Sequence, residues 1–232
     1  MDNKLFLISF LISQTSSILA RSVIKTYEKS SDVAKWTVFI GIKNDECAGL
    51  QVNSDWILTL GECVDSRKLS KIKVTFSNGK QSKVIAEERS PEGKGLLVLL
   101  KLDATAGVMD KFTEFASSLV PNNYQYQLYN LNSKDVITSN DVTYVNSKEC
   151  TKDKRLKQTF DQKQYTCLNA DVNKKNKCVP GLPVFGTKKK STLLQGLSTT
   201  GEQFCDSKVQ ATVPVSLHKT WIESVITETK EY

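Results

Sequence analysis

One histidine, His218, stands in 232 residues, beside only five prolines and two methionines and without a single Cys-x-x-Cys pair. Structural and catalytic zinc sites draw three or four ligands from clustered cysteines and histidines, so the chain lacks the donor set for one. Gly-x-Ser-x-Gly, phosphate-loop and dinucleotide fingerprints are absent too, which removes the hydrolase-elbow, nucleotide and nicotinamide readings. No cofactor is expected. Asn-x-Ser/Thr does not occur, so N-glycosylation is not expected either. Beyond residue 20 no apolar run approaches the roughly 18 residues a membrane helix needs, so no transmembrane anchor is expected.

What is present begins with an export signal. Lys4 precedes an apolar core, Leu5–Ile12, and the run Ser16-Ser17-Ile18-Leu19-Ala20 follows. This reads as a signal peptide over residues 1–20, too short to span a bilayer. Its removal takes away Asp2 and Lys4 together, so the net charge stays at +7. All six cysteines lie in the remaining chain, an even number in an exported protein, which points to disulfides rather than metal. Spacing alone does not choose among the possible pairings.

Apolar runs of strand length recur at Trp36–Ile42, Trp56–Leu60, Ile72–Phe76, Leu96–Leu102, Tyr126–Leu131, Val136–Val145, Leu193–Leu197 and Val209–Val215. They are rich in β-branched and aromatic residues and are separated by Asn, Asp, Gly, Ser and Lys clusters, which is all-β punctuation. Near the end Leu217, Trp221, Ile222 and Val225 recur at three- and four-residue steps, predicting a helix over about 216–228 with Ser216 as its N-cap.

The stretch Trp56-Ile57-Leu58-Thr59-Leu60-Gly61-Glu62-Cys63 resembles the segment around the catalytic histidine of trypsin-like serine proteases, which ends Ala-His-Cys. Lys35-Trp36-Thr37-Val38, Cys47-Ala48-Gly49, Leu97–Leu102, Cys178–Pro183, Leu194-Gln195-Gly196-Leu197, Val213-x-Val215 and Trp221-Ile222 follow in the order and spacing of that family. The resemblance runs from about Lys35 to Ile226. It implies an all-β fold of two packed six-stranded antiparallel β-barrels, chymotrypsin-like, over about 35–110 and 124–215, with the C-terminal α-helix after them. Residues 21–34 form an N-terminal segment ahead of a domain at 35–232. The resemblance also implies the pairings Cys47–Cys63, Cys150–Cys167 and Cys178–Cys205.

Transferred residue by residue, it implies an absent reaction. Family hydrolysis needs a serine activated by a neutral imidazole, a carboxylate to orient that imidazole, and an oxyanion hole. The histidine position holds Glu62, whose carboxylate is a poor acceptor for a serine proton. The aspartate position falls on Leu96, which cannot orient anything by hydrogen bonding. The nucleophile loop, Cys178-Val179-Pro180-Gly181-Leu182-Pro183, is two residues short; counting back from Pro183 puts the serine at Pro180, counting forward from Cys178 at Leu182. Pro180 has no amide hydrogen to offer an oxyanion. No Ile-Val-Gly-Gly-like activation start is found, and Arg21-Ser22-Val23-Ile24 reads as an ordinary mature N-terminus. The floor of the specificity pocket is Asn176, and the Ser-Trp-Gly wall of the cleft appears as Thr199-Thr200-Gly201. His218 is expected to serve packing or the surface, and Glu87-Glu88 to form a solvated turn.

Positive charge gathers in the second half: Lys148, Lys152, Lys154, Arg155, Lys157, then Lys174, Lys175, Lys177, then Lys188, Lys189, Lys190. Such lysines solubilise a surface, or form a patch for an acidic partner. Without interleaved stacking aromatics, nucleic acid is not the expected partner. The chain thus reads as a secreted, non-catalytic homologue of serine proteases that binds extracellular proteins, active proteases or their substrates, as regulator, decoy or scaffold. The alternative is a glycosaminoglycan- or anionic-surface-binding protein using the lysine loops of the second barrel. Residues 21–46 contain no cysteine, so the clip module of the arthropod immune cofactors is not expected ahead of the barrels.

Overall fold

The computed structural model describes residues 35–42, 45–65, 68–104, 114–120, 124–132, 137–152, 156, 161, 163–170, 176–177, 179–189, 191–199 and 207–228. Six strands close the first barrel: β1 (Thr37–Ile42), β2 (Asp45–Gln51), β3 (Trp56–Leu60), β4 (Lys73–Thr75), β5 (Gln81–Arg89) and β6 (Leu97–Leu102), in ring order β1-β2-β3-β6-β5-β4. Every pairing in this ring is antiparallel. β3 and β6 carry near-continuous apolar side chains because they are buried throughout apart from half-buried Lys101. β5 instead alternates, with Ser82 and Val84 inward and Lys83 and Ile85 outward, as a strand with one wet face must.

After a short strand, β7 (Glu114–Phe115), the second barrel uses β8 (Gln125–Asn132), β9 (Ile137–Val145), β10 (Thr166–Ala170), β12 (Pro183–Lys188), β13 (Ser191–Ser198) and β14 (Val209–Pro214). They close in the order β8-β9-β10-β14-β13-β12. β11 (Asn176–Lys177) adds to the edge of β8, and β7 lies parallel to β13. The all-β, two-barrel fold expected from the resemblance is the fold observed.

One apolar core runs through both barrels, from Val38, Ile40, Leu58 and Leu99 to Leu131, Phe185, Val213 and Ile222. A smaller cluster, Leu128, Val142, Leu168, Ala170 and Val184, fills the far side of the second barrel under an edge-to-face Tyr126–Tyr144 pair with centroids 4.7 Å apart. Cys47–Cys63 and Cys150–Cys167 are bridged, with Cα atoms 5.9 and 6.0 Å apart. The Cys178–Cys205 pairing lies outside the described residues.

Two local expectations need correction. The regular helix spans Lys219–Glu228, and Val215–Leu217 is a 3-10 turn whose N-cap is Pro214, so Ser216 sits inside that turn and caps nothing. Leu217 belongs to the turn and is 40% exposed, so it misled the helical periodicity. Glu87-Glu88 is not a turn but the outer half of β5, where Glu87 accepts from Arg89 Nε at 3.0 Å.

Candidate functional site

β3 delivers Gly61–Cys63 as a 3-10 turn at the end of a fully buried strand. Cys63 is sealed inside by its bridge to Cys47, which turns Glu62 outward. Although the residue is exposed, protein crowds its carboxyl: desolvation raises the Glu62 pKa above the ordinary value, and the charge of Asp65 adds to the rise. Asp65 is itself held by Arg89 Nη1 at 2.7 Å. Tyr165, from the approach to β10 in the other barrel, feels the same carboxylate: burial raises its hydroxyl pKa first, then the charges of Glu62 and Asp161.

Leu96 is joined to this turn by backbone. The Gly61 amide donates to the Leu96 carbonyl at 2.8 Å. The contact is close enough that a Cβ on Gly61 would collide with the carbonyl oxygen of Gly95. The loop before Leu96 is wound left-handed through Gly93, Lys94 and Gly95, with φ of 66°, 55° and 81°. It is tied off by Gly95 N–H to the Ser90 carbonyl and Ser90 N–H to the Leu97 carbonyl, both 3.0 Å. The Leu96 side chain is half-buried and packs on the core, filling space as an apolar residue should.

Pro180 arrives from the second barrel. Its carbonyl accepts from the Ala48 amide at 2.7 Å, next to the Cys47–Cys63 bridge. The Gly181 amide donates to the Ser198 carbonyl at 2.8 Å, and the Ser198 amide returns to the Leu182 carbonyl at 2.8 Å. Gly181 has φ 87°, and a Cβ there would strike the Ala48 carbonyl oxygen. Leu182 is buried in the common core. The loop is therefore a seam, bonded to the first barrel through the Pro180 carbonyl: Pro180 has no amide hydrogen, and the hydrogen of Gly181 is spent on Ser198 within the second barrel.

The structure thus gathers Glu62, Leu96 and Pro180 around one junction. Other predicted positions lie elsewhere or carry less. Asn176 enters β11 opposite Asn132. Thr199 is fastened to the Ala211 carbonyl by its amide at 3.0 Å and its hydroxyl at 3.1 Å, while Thr200 and Gly201 lie outside the described residues. His218 is 2% exposed just before the terminal helix, with Nδ1 3.8 Å from Glu92 Oε2 and no hydrogen-bond partner for that nitrogen among the described residues. Its burial lowers its pKa against a weaker opposing pull from Glu92. Tyr165 was not predicted; its place two residues before Cys167, just ahead of the strand that the Cys150 bridge anchors, is the signal it left in the sequence.

Of the basic residues, Lys152 is paired to Glu149 at 2.6 Å, Lys177 is exposed in β11, and Lys188 lies 5.6 Å over the Tyr124 ring. Lys189 turns the β12–β13 hairpin with φ 54°. Lys154, Arg155, Lys157, Lys174, Lys175 and Lys190 fall outside the described residues. Among the described residues no group of three or more His, Cys, Asp or Glu side chains could hold a metal, and no helix is long and apolar enough to cross a membrane.

Two closed six-stranded antiparallel barrels with a short C-terminal helix define a chymotrypsin-like domain. The family model for trypsin matches residues 23–222, and the chain belongs to that family. Among solved structures it is similar to the scabies mite inactivated protease paralogue S-I1, at 17% identity and TM-score 0.69 over 88% of this chain and 100% of that one. The scabies mite inactivated protease paralogue S-D1 is similar at 16% identity and TM-score 0.67, over 85% and 95% of the two chains. Kallikrein-related peptidase 10 is similar at 17% identity and TM-score 0.65, over 84% and 97%. No curated protein matches the sequence.

Proposed function

We propose that this protein is a secreted, non-catalytic member of the trypsin family that binds extracellular proteases or their substrates as a regulator, decoy or scaffold. The observation that carries this reading is the Pro180–Leu182 seam. Acyl transfer needs a nucleophile and preorganised amide donors aimed at the developing oxyanion. Here the segment in that place has a proline, a buried leucine and a glycine amide already bonded to Ser198. Glu62 and Leu96 add neither an imidazole nor an orienting carboxylate. The two scabies mite proteins, named as inactivated protease paralogues, supply a precedent for this fold without its chemistry.

The test has two arms. A fluorophosphonate probe should leave the purified protein unlabelled, with no peptide substrate cut; labelling sinks the non-catalytic reading. Immobilised protein should then retain a serine protease, or a protease substrate, from the secretion that contains it. Retention of neither removes the regulatory role.

A second reading, an anionic-glycan surface on the second barrel, is favoured by Lys189. A lysine in the left-handed region costs about 1–2 kcal/mol relative to a relaxed conformation, and glycine or asparagine would avoid most of that. Its position at a hairpin tip beside Lys188 suits a charge that has a use. Flow-through on a heparin column at physiological salt would remove this reading.

A further inference from the structure

We propose that the outer face of the β4–β5 hairpin, in the first barrel, binds a sulfated polysaccharide through Lys73, Lys83 and Lys71, with exposed Lys80 adding charge at the end of the turn. The hairpin turns through Asn78-Gly79, with Gly79 at φ 79° and the Lys80 amide bonded to Asn78 Oδ1 at 2.9 Å. That three-residue loop is a standard hairpin geometry with glycine in the left-handed position, and it fixes the register. In this register Lys73 stands directly across from Lys83, and Thr75 from Gln81.

The inward faces are ordinary core, Val74 and Val84. The outward faces place two ammonium groups opposite one another, an arrangement that destabilises a sheet by itself. Both lysines are exposed and neither makes an ion pair with a described residue. Acidic residues do lie at the ends of the same row: Glu46 across Gly41 from Lys73, and Asp103, whose amide bonds to the Lys83 carbonyl. Neither forms an ion pair with Lys73 or Lys83. Lys71, two residues before Lys73 at the end of the preceding 3-10 turn, is likewise exposed, and Lys80 closes the turn.

The Lys73–Lys83 pair is preceded by Lys71 two residues earlier, while Lys80, whose carbonyl accepts from the amide of buried Phe76, adds its charge at the end of the turn rather than on the outer face. A polyanion matches this grouping of charge. Gly41, paired with Lys73, carries no side chain and has nothing within 4 Å of its Cβ position, which leaves that flank of Lys73 open. Thr75 and Gln81, the next pair toward the turn, are hydrogen-bonded to each other at 3.3 Å. A face whose outward side chains in these paired positions are lysines, Thr75 and Gln81 suits a charged, repeating rod better than an acidic peptide, which would need sites for its apolar residues. Ile85, 53% exposed on the same strand, is a single apolar residue and no pocket.

The test uses the full secreted chain and a heparin column, with polyglutamate as the competing polyanion. Lys73→Ser/Lys83→Ser should elute at lower salt than the parent, with the slope of log affinity against log salt reduced by roughly 1–2, as expected for two released counterions. Its melting temperature at low salt should equal or exceed the parent's, because a repulsion has been removed, so weaker binding is not misfolding. Lys188→Ser/Lys189→Ser separates this surface from the second-barrel reading. Unchanged elution of the Lys73/Lys83 variant, or complete loss of binding in the Lys188/Lys189 variant alone, overturns the proposal. Displacement by polyglutamate as effective as by heparin at equal charge overturns the choice of a sulfated ligand.

Discussion

The amide of Gly61 donates to the carbonyl of Leu96 at 2.8 Å, and this bond joins the turn that carries Glu62 to the loop that ends at Leu96. Closure is so tight that only glycine fits: a Cβ at position 61 would collide with the Gly95 carbonyl oxygen, a backbone atom in a loop already wound through three left-handed residues. Gly61→Ala should therefore destabilise the protein by about 1–3 kcal/mol, the usual range for forcing an extra carbon into a packed site. Urea unfolding followed by tryptophan fluorescence checks this; a neutral result would mean that the loop yields freely.

The same closure bears on repair. By the proposed correspondence, Glu62→His, Leu96→Asp and Pro180→Ser together supply the three side-chain types, yet the Gly181 amide stays bonded to Ser198. Since removing one oxyanion donor alone costs an enzyme roughly 10²–10³ in kcat, the triple variant should hydrolyse a chromogenic peptide ester no faster than buffer. Turnover above background would show that the loop re-forms once the serine returns.

Much of this was legible in the chain, and the gaps have physical causes. Trp56–Leu60 matched its strand to the residue because both faces are buried and the run is wholly apolar apart from Thr59, whose hydroxyl is spent on the Ala48 carbonyl at 2.8 Å. β5 was missed because only its inward positions are apolar or small while its outer face is charged. β2, written Asp-Glu-Cys-Ala-Gly-Leu-Gln, has too little β-branched character to announce itself. Order and spacing singled out Glu62, Leu96 and the pair Pro180 and Leu182. The bonds that bind them into one junction could not be read, because backbone pairing between distant loops leaves no residue-type signature. The Lys73–Lys83 face was in principle readable: Asn78-Gly79 sets the hairpin, and alternation then puts the lysines together.

Two glycines with similar dihedrals separate backbone freedom from close approach. Gly79 at φ 79° has open space around its Cβ position, whereas Gly181 at φ 87° would drive a Cβ into the Ala48 carbonyl between the barrels. Gly79→Ala should cost about 1 kcal/mol, the conformational term alone. Gly181→Ala adds a collision with backbone and should cost at least about 2 kcal/mol more. Equal losses in paired thermal melts would mean that the seam is soft.

Acid should act on two groups in opposite senses. Burial lowers the His218 pKa below 6.5, so the unfolded chain takes up its proton first as pH falls. Stability from neutral His218 is whole above pH 6.5 and declines from there toward the lowered folded value. The Glu62 pKa is raised above 4.5, so the folded state takes up that proton first. Stability from Glu62 therefore increases as pH falls through its raised value toward 4.5. His218→Gln should remove the acid-side decline, and Glu62→Gln should steepen it while raising the melting temperature at neutral pH. Melts taken across this range check both; parallel profiles for parent and variants would contradict the assignment.

The two observed disulfides close loops of nearly equal length, with separations of 16 and 17 residues, so chain entropy alone assigns each about 3 kcal/mol. Their surroundings differ. Cys47 adjoins Ala48, whose amide holds Pro180 across the barrel seam, and Cys63 ends the turn whose Gly61 amide holds Leu96. Cys150 and Cys167 connect the short helix Ser147–Cys150 to β10 within one barrel. Cys47→Ala/Cys63→Ala should therefore lose the loop-closure stability and also the hydrogen-exchange protection of the Ala48 and Gly61 amides under native conditions. Cys150→Ala/Cys167→Ala should cost a similar global stability while leaving those two amides protected. If both pairs of substitutions leave Ala48 and Gly61 equally slow to exchange, the first bridge staples only its own loop, and the junction is held by packing of the common core instead.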